Sequence, residues 1–160
     1  MPPPESERMA ALLECKILDT PPEQPYDDLA ALAADICDSE IALISLVDND
    51  RQWFKAKVGL KQSQTSREVA FCAHTISNPS ELLIVNDARK DPRFANNPLV
   101  IDEPFIRFYA GAPLIVSGGH ALGAVCVVDR RTRRLLRKQE EMLRRLARVA
   151  SALIDARRDR

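Results

Sequence analysis

Apolar residues recur at helical spacing through residues 5–18, where Met9, Leu12, Leu13 and Ile17 share a face. The helix this predicts ends near Asp19, because the following DTPP brings prolines that lack a donor and restrict the residue before them. A second helix is predicted from about Tyr26 to Asp38, with Leu29, Leu32, Ala33 and Ile36 in register. The pattern then changes to β-forming runs, Ile41 to Val47 and Gln52 to Val58, joined by the turn-prone Asp48-Asn49-Asp50. The first run reads as buried on both faces. In the second, strict alternation puts Trp53, Lys55 and Lys57 on one side and Phe54, Ala56 and Val58 on the other. Thr65 and Glu68 stand in capping-box register before VAFCAHTI, which reads as a short helix.

Leu82 to Val85 is a brief strand, and an irregular crossover with three prolines and three asparagines runs from residue 86 to residue 104. Phe105 to Val116 and Ala121 to Val128 form a second hairpin about Ser117-Gly118-Gly119-His120. The C-terminal helical segment covers residues 139–158, with regular periodicity from Gln139 to Ala156. Short turns between consecutive strands make the sheet mainly antiparallel, and the class is α+β. One domain over residues 1–160 is expected, with residues 1–4 a disordered start and residues 5–38 the N-terminal helices. A structureless stretch as long as the crossover tends to be functional, so a small-molecule hollow is expected beneath it.

Composition narrows the function. The 160 residues are 46% hydrophobic and 29% charged, enough apolar surface for a core. Lys plus Arg and Asp plus Glu are 23 each, so no net field draws in nucleic acid or an anionic membrane. Residues 130–160 nevertheless hold 12 basic against 4 acidic residues, a net +8, while residues 5–40 hold 2 against 10, a net −8; pairing between these segments, within one chain or between two, is expected. No apolar run reaches the roughly 18 residues that span a bilayer, and MPPPESER does not begin as a secretory signal, so the cytoplasm is the expected compartment. Cys15, Cys37, Cys72 and Cys126 lack CxxC spacing and read as reduced, buried thiols; no metal is expected.

The strings ILDTPPEQPYDDLAALAADIC, IALISLVDNDRQWFKAKVGL, REVAFCAHTI, VNDARKDPRFANNPLV, IRFYAGAPL and ALGAVCVVDRRTR resemble, stretch by stretch, the GAF domains found beside bacterial histidine kinase and diguanylate cyclase units. The resemblance covers residues 5–158. It implies a PAS-related antiparallel sheet of five or six strands with helices on both faces, and a homodimer built through terminal helices. It further implies a sensor module of signal transduction, including two-component systems, with a histidine kinase or diguanylate cyclase as output partner. GAF domains hold diverse ligands, so none is named here, and a fold carries no chemistry by itself.

Several residues are candidates for a site. Cys72 and His74 sit near where bilin-binding relatives attach chromophore, but Ala73 intervenes and the two lie about 200° apart on a helix, which disfavours bilin or haem. Arg107 and Tyr109 share one side of a strand, with Gly111 leaving room beside them; together they offer a donor fork and a rigid wall to a carboxylate or phosphate. Equally, Arg107 could pair with Asp87 or Asp91 and pin the crossover. Asp87, Arg93, Phe94, Asn96 and Asn97 could form a lid over a small polar ligand, or staple their own loop. Trp53 reads as an outer anchor or a packed side chain. Leu143, Leu146, Ala150 and Leu153 form a short seam for a dimer partner or for the sheet. Two other classes stand beside a ligand-binding sensor: a ligand-free dimerisation scaffold, and a thiol-dependent methionine sulfoxide reductase using Cys72, for which no resolving cysteine or other catalytic arrangement is evident.

Overall fold

The computed structural model describes residues 4–159. Six strands form one antiparallel sheet: β1 (Ile41–Val47), β2 (Arg51–Val58), β3 (Gln64–Ser66), β4 (Leu83–Val85), β5 (Phe108–Val116) and β6 (His120–Asp129), in the order β3-β2-β1-β6-β5-β4. Helices α1 (Glu5–Glu14), α2 (Gln24–Cys37) and α5 (Arg137–Ala156) pack on one face. The other face carries α3 (Phe71–Ser77), α4 (Pro98–Ile101) and the crossover between β4 and β5. Central strand β1 is buried along its whole length, which is why its sequence is a continuous apolar run rather than an alternating one.

Local chemistry explains where the elements depart from simple periodicity. α1 stops at Glu14, and Lys16 and Asp19 adopt left-handed backbone conformations. Ile17 therefore enters the core from a loop, while Leu13, assigned by periodicity to the buried face, is 62% exposed. Similarly Leu32 on α2 is 47% exposed; small residues Ala30, Ala33, Ala34 and Cys37 make the close contact. Pro4 caps α1 and accepts a hydrogen bond from the Arg8 amide, so the expected disordered start does not include it; residues 1–3 lie outside the described residues.

In β2 the strict alternation fails. Ile44 pairs with Ala56 and Ser45 with Phe54, leaving Lys55 as the extra residue of a β-bulge. The bulge puts Trp53 and Ala56 together in the helix-side core and leaves Phe54 on the opposite face. Lys55 is only 3% exposed, and its ammonium donates to Thr20 Oγ1, the Pro21 carbonyl and Glu23 Oε2 at 2.6–2.7 Å. Before α3, Ser66 rather than Thr65 is the cap: its hydroxyl accepts from the Glu68 amide. β5 begins at Phe108, three residues later than expected, because Phe105 turns through a positive φ of 57°.

The leucine seam of α5 belongs to the fold's own core. Leu143, Leu146 and Ala150 are buried in that core, and Leu153 is partly buried against the same cluster. The charge asymmetry is partly resolved inside the chain: Arg157 meets Glu23 and Arg158 meets Glu14, each at 2.9 Å. Arg144, Arg145 and Arg148 instead gather loosely around Glu141 on the exposed side of α5.

Candidate ligand cavity

Between the sheet and the crossover lies a partly open cavity of about 50 Å³. Ile41 and Leu43 of β1, Phe54 of β2, Cys126 and Val128 of β6, and Tyr109 of β5 make its floor, and Phe71, Leu99 and Ile106 cover it. Gln52, Gln62 and Thr65 add the polar edge, where Gln52 Nε2 donates to Thr65 Oγ1 at 2.9 Å. A cavity that receives a benzene ring is about 150 Å³, so as it stands this hollow admits only a few water-sized groups. Its lining is largely apolar, whereas a polar ligand was expected there.

Of the nine ligand-site candidates singled out by sequence, Tyr109 alone lines this cavity. Its ring lies over Gly111, where an added Cβ would overlap the Tyr109 hydroxyl and ring, so the room left by glycine is already filled. The hydroxyl pairs with Thr75 Oγ1 at 2.9 Å. Arg107 turns aside. It donates to the Val100 and Ile106 carbonyls and pins the crossover through backbone, not through Asp87 or Asp91 as sequence reasoning had it. Asp87 holds Arg89 and Asp91 holds Arg93, each pair within its own turn. Asn97 caps α4 by accepting from the Leu99 amide and ties it to the Val69 carbonyl. Phe94 is a packed plug: it is buried and stacks on Phe71 with ring centroids 4.1 Å apart, His74 meeting its edge at 4.8 Å. Asn96 is exposed, and Trp53 is buried under the helices.

The thiols are placed for packing. Cys72 is wholly buried, donates to Gln52 Oε1, and burial pushes its pKa up to about 12. His74 is on the outside of α3, away from Cys72, and partial burial followed by nearby Arg93 holds its pKa below the ordinary imidazole value. Cys15, Cys37 and Cys126 are buried as well. Among the described residues no group of three or more His, Cys, Asp or Glu gathers as a metal site, and no helix is long and apolar enough to cross a membrane. Sequence reasoning missed Phe71, Gln52 and Cys126 as lining residues; period-two alternation from Tyr109 and Val128 could have indicated the side on which Cys126 lies, but the other two depend on the bulge and the α3 packing.

Residues 21–154 match the family of GAF domains. The chain belongs to that family. It is 41% identical over 154 residues to a cyclic di-GMP phosphodiesterase of Pseudomonas aeruginosa, an alignment that covers 96% of this chain and 26% of that protein. The chain therefore spans about a quarter of that relative. Among solved structures, the GAF domain of an Acinetobacter phosphoenolpyruvate-protein phosphotransferase superposes with a TM-score of 0.70 at 19% identity, covering 96% of this chain and 95% of that one. A type II free methionine-R-sulfoxide reductase from Thermoplasma acidophilum gives 0.67 at 12% identity over 83% and 92% of the two chains. At such identities these structures share the fold alone. The GAF domain is a regulatory module of signal-transduction proteins, and its six antiparallel strands with helices on both faces match the expected architecture.

Proposed function

We propose that this GAF domain is the regulatory input of a cytoplasmic cyclic di-GMP signalling protein, responding to a small ligand in the cavity beneath the crossover. The observation that carries the reading is the 41% identity, along nearly the whole chain, to one part of a cyclic di-GMP phosphodiesterase. The signal would leave through α5. That helix starts from a junction where Arg131 and Arg133 bind buried Asp129, the same two arginines donate to the carbonyls that end α2, and Arg130 donates to the carbonyl of Pro104, a cavity-lining residue. A change at the crossover thus has a bonded route to the start of α5, provided that the ligand favours one of two arrangements. A homodimer would use the exposed face of α5 around Val149 and Arg145, and the output would be a unit acting on cyclic di-GMP in place of the kinase or cyclase of the sequence reading.

The ligand-free scaffold is the second reading, favoured by the small size of the cavity and the Phe71–Phe94 plug. Native mass spectrometry of protein purified from its own host distinguishes them. A retained small molecule supports sensing; bare chains and an unchanged spin-label distance between Val149→Cys positions across all metabolites tried would leave the scaffold.

A further inference from the structure

Apart from the crossover cavity, the start of α1, the turn preceding α3, α3 itself and the β5–β6 hairpin line a separate cleft of about 170 Å³. Two guanidiniums from different elements meet there. Arg8 of α1, 6% exposed, is anchored to the Val47 carbonyl at 2.7 Å and grips Glu5 as a fork, Nε to Oε2 at 2.9 Å and Nη2 to Oε1 at 3.0 Å. Arg67 Nη1 reaches the same Oε1 at 2.7 Å and also the Asp48 carbonyl. One half-exposed carboxylate of the chain therefore bridges both arginines, and the Arg8 contact foremost holds its pKa down at about 2. The rest of the wall is Ala73, Ile76, Pro79 and Ala121 with Ser77, Gly119 and His120, the last with its Nδ1 buried and without a hydrogen-bond partner among the described residues.

We propose that this cleft binds a small organic carboxylate with a compact apolar body, and that Glu5 occupies the ligand's position in the empty state. The incoming carboxylate would take the fork of Arg8 and the Nη1 of Arg67, and its body would rest on Ala73, Ile76 and Ala121 beside the His120 ring. The volume is close to that which holds a single benzene ring. Displaced, Glu5 no longer joins α1 to the turn before α3, so binding loosens the first turn of α1. Glu5 is a competitor tethered in place, and an external anion must overcome its high local concentration. None of these residues lines the crossover cavity, so the inference stands apart from the function proposed above.

The test is an NMR titration of the full chain with benzoate, acetate and inorganic phosphate, read at the His120 ring and at the methyls of Ala73 and Ile76. Benzoate should give saturable shifts at all three residues, bind at least tenfold tighter to Glu5→Gln than to the natural chain, and bind at least tenfold weaker to Arg67→Met. Should Glu5→Gln misfold, Glu5→Asp withdraws the carboxylate by one methylene and should tighten binding in the same direction. No saturable shift in any of these proteins, affinity indifferent to residue 5, or phosphate binding as tightly as benzoate would each overturn the proposal.

Discussion

Replacing Lys55 by Met removes the cation that the β2 bulge turns under α2 while retaining an apolar stem of similar length. Its ammonium makes three hydrogen bonds, to Thr20 Oγ1, the Pro21 carbonyl and Glu23 Oε2, and its side chain is fully enclosed. Breaking a buried pair by removing one partner costs about 3–5 kcal/mol when the other charge is left stranded. Here Glu23 is 35% exposed and keeps Arg157 at 2.9 Å, so its charge is screened and still paired. The loss then comes mainly from the Thr20 and Pro21 acceptors, and the expected cost is about 2–3 kcal/mol. For a domain of this size that lowers Tm by about 5–10 °C, measurable by calorimetry. The effect has a pH signature. The Lys55 hydrogen bond holds the Glu23 carboxyl below its ordinary value, so the pair stabilises the fold above the unfolded carboxylate pKa, and that contribution is lost as the pH falls through the lowered folded value. The gap between natural and Lys55→Met proteins should accordingly be full at pH 7 and shrink below about pH 4. A Tm change within 1 °C at pH 7, or a gap that widens in acid, would refute the assignment of Lys55 as the tie between the sheet and the α1–α2 loop.

Three further outcomes follow from the packing. Gly111→Ala should destabilise by about 1–3 kcal/mol in urea melts, because the methyl must push the Tyr109 ring into the cavity, and Tyr109→Ala in the same chain should relieve part of the clash. Phe94→Ala should cost about 3–5 kcal/mol and open space beside Phe71, detectable as denaturation at lower urea and as restored stability with a small aromatic such as benzene; unchanged stability would show that the plug is not packed. With its pKa near 12, Cys72 is a thiolate in only about one molecule in ten thousand at pH 8, so Ellman's reagent should label it only after unfolding, and any methionine sulfoxide turnover by the folded chain should survive Cys72→Ser. Fast labelling of native Cys72, or turnover that Cys72→Ser abolishes, would reverse that conclusion.

The α+β class, the two hairpins and the main helices were legible along the chain, because each rests on contacts within a few residues, apolar spacing and turn residues between consecutive strands; the short β3 and α4 and the end of α1 at Glu14 were not, and the β1–β6 and β4–β5 pairings join residues far apart in the chain. The long apolar run of β1 already told that both of its faces are covered. The buried side of each element was legible only where the periodicity stays regular. At Lys55 one inserted residue reverses the faces of β2, and nothing local distinguishes a bulged strand from a regular one; the distinction is drawn by Ser45 and Phe54 aligning across the sheet. The α5 seam shows the same division: its spacing announced an apolar stripe, but whether α2 and the sheet or a second chain covers it depends on distant residues. So it is with the candidate sites. Asp87 and Asp91 found partners within their own turns, Asn97 took both a local amide and the distant Val69 carbonyl, Arg107 took backbone carbonyls, and Glu5 came to lie between Arg8 and Arg67, 62 residues from the second of them. Residue types limit which bonds are possible; the folded chain decides which polar group reaches a partner first, because a buried charge or donor takes whatever acceptor the packing leaves within about 3 Å.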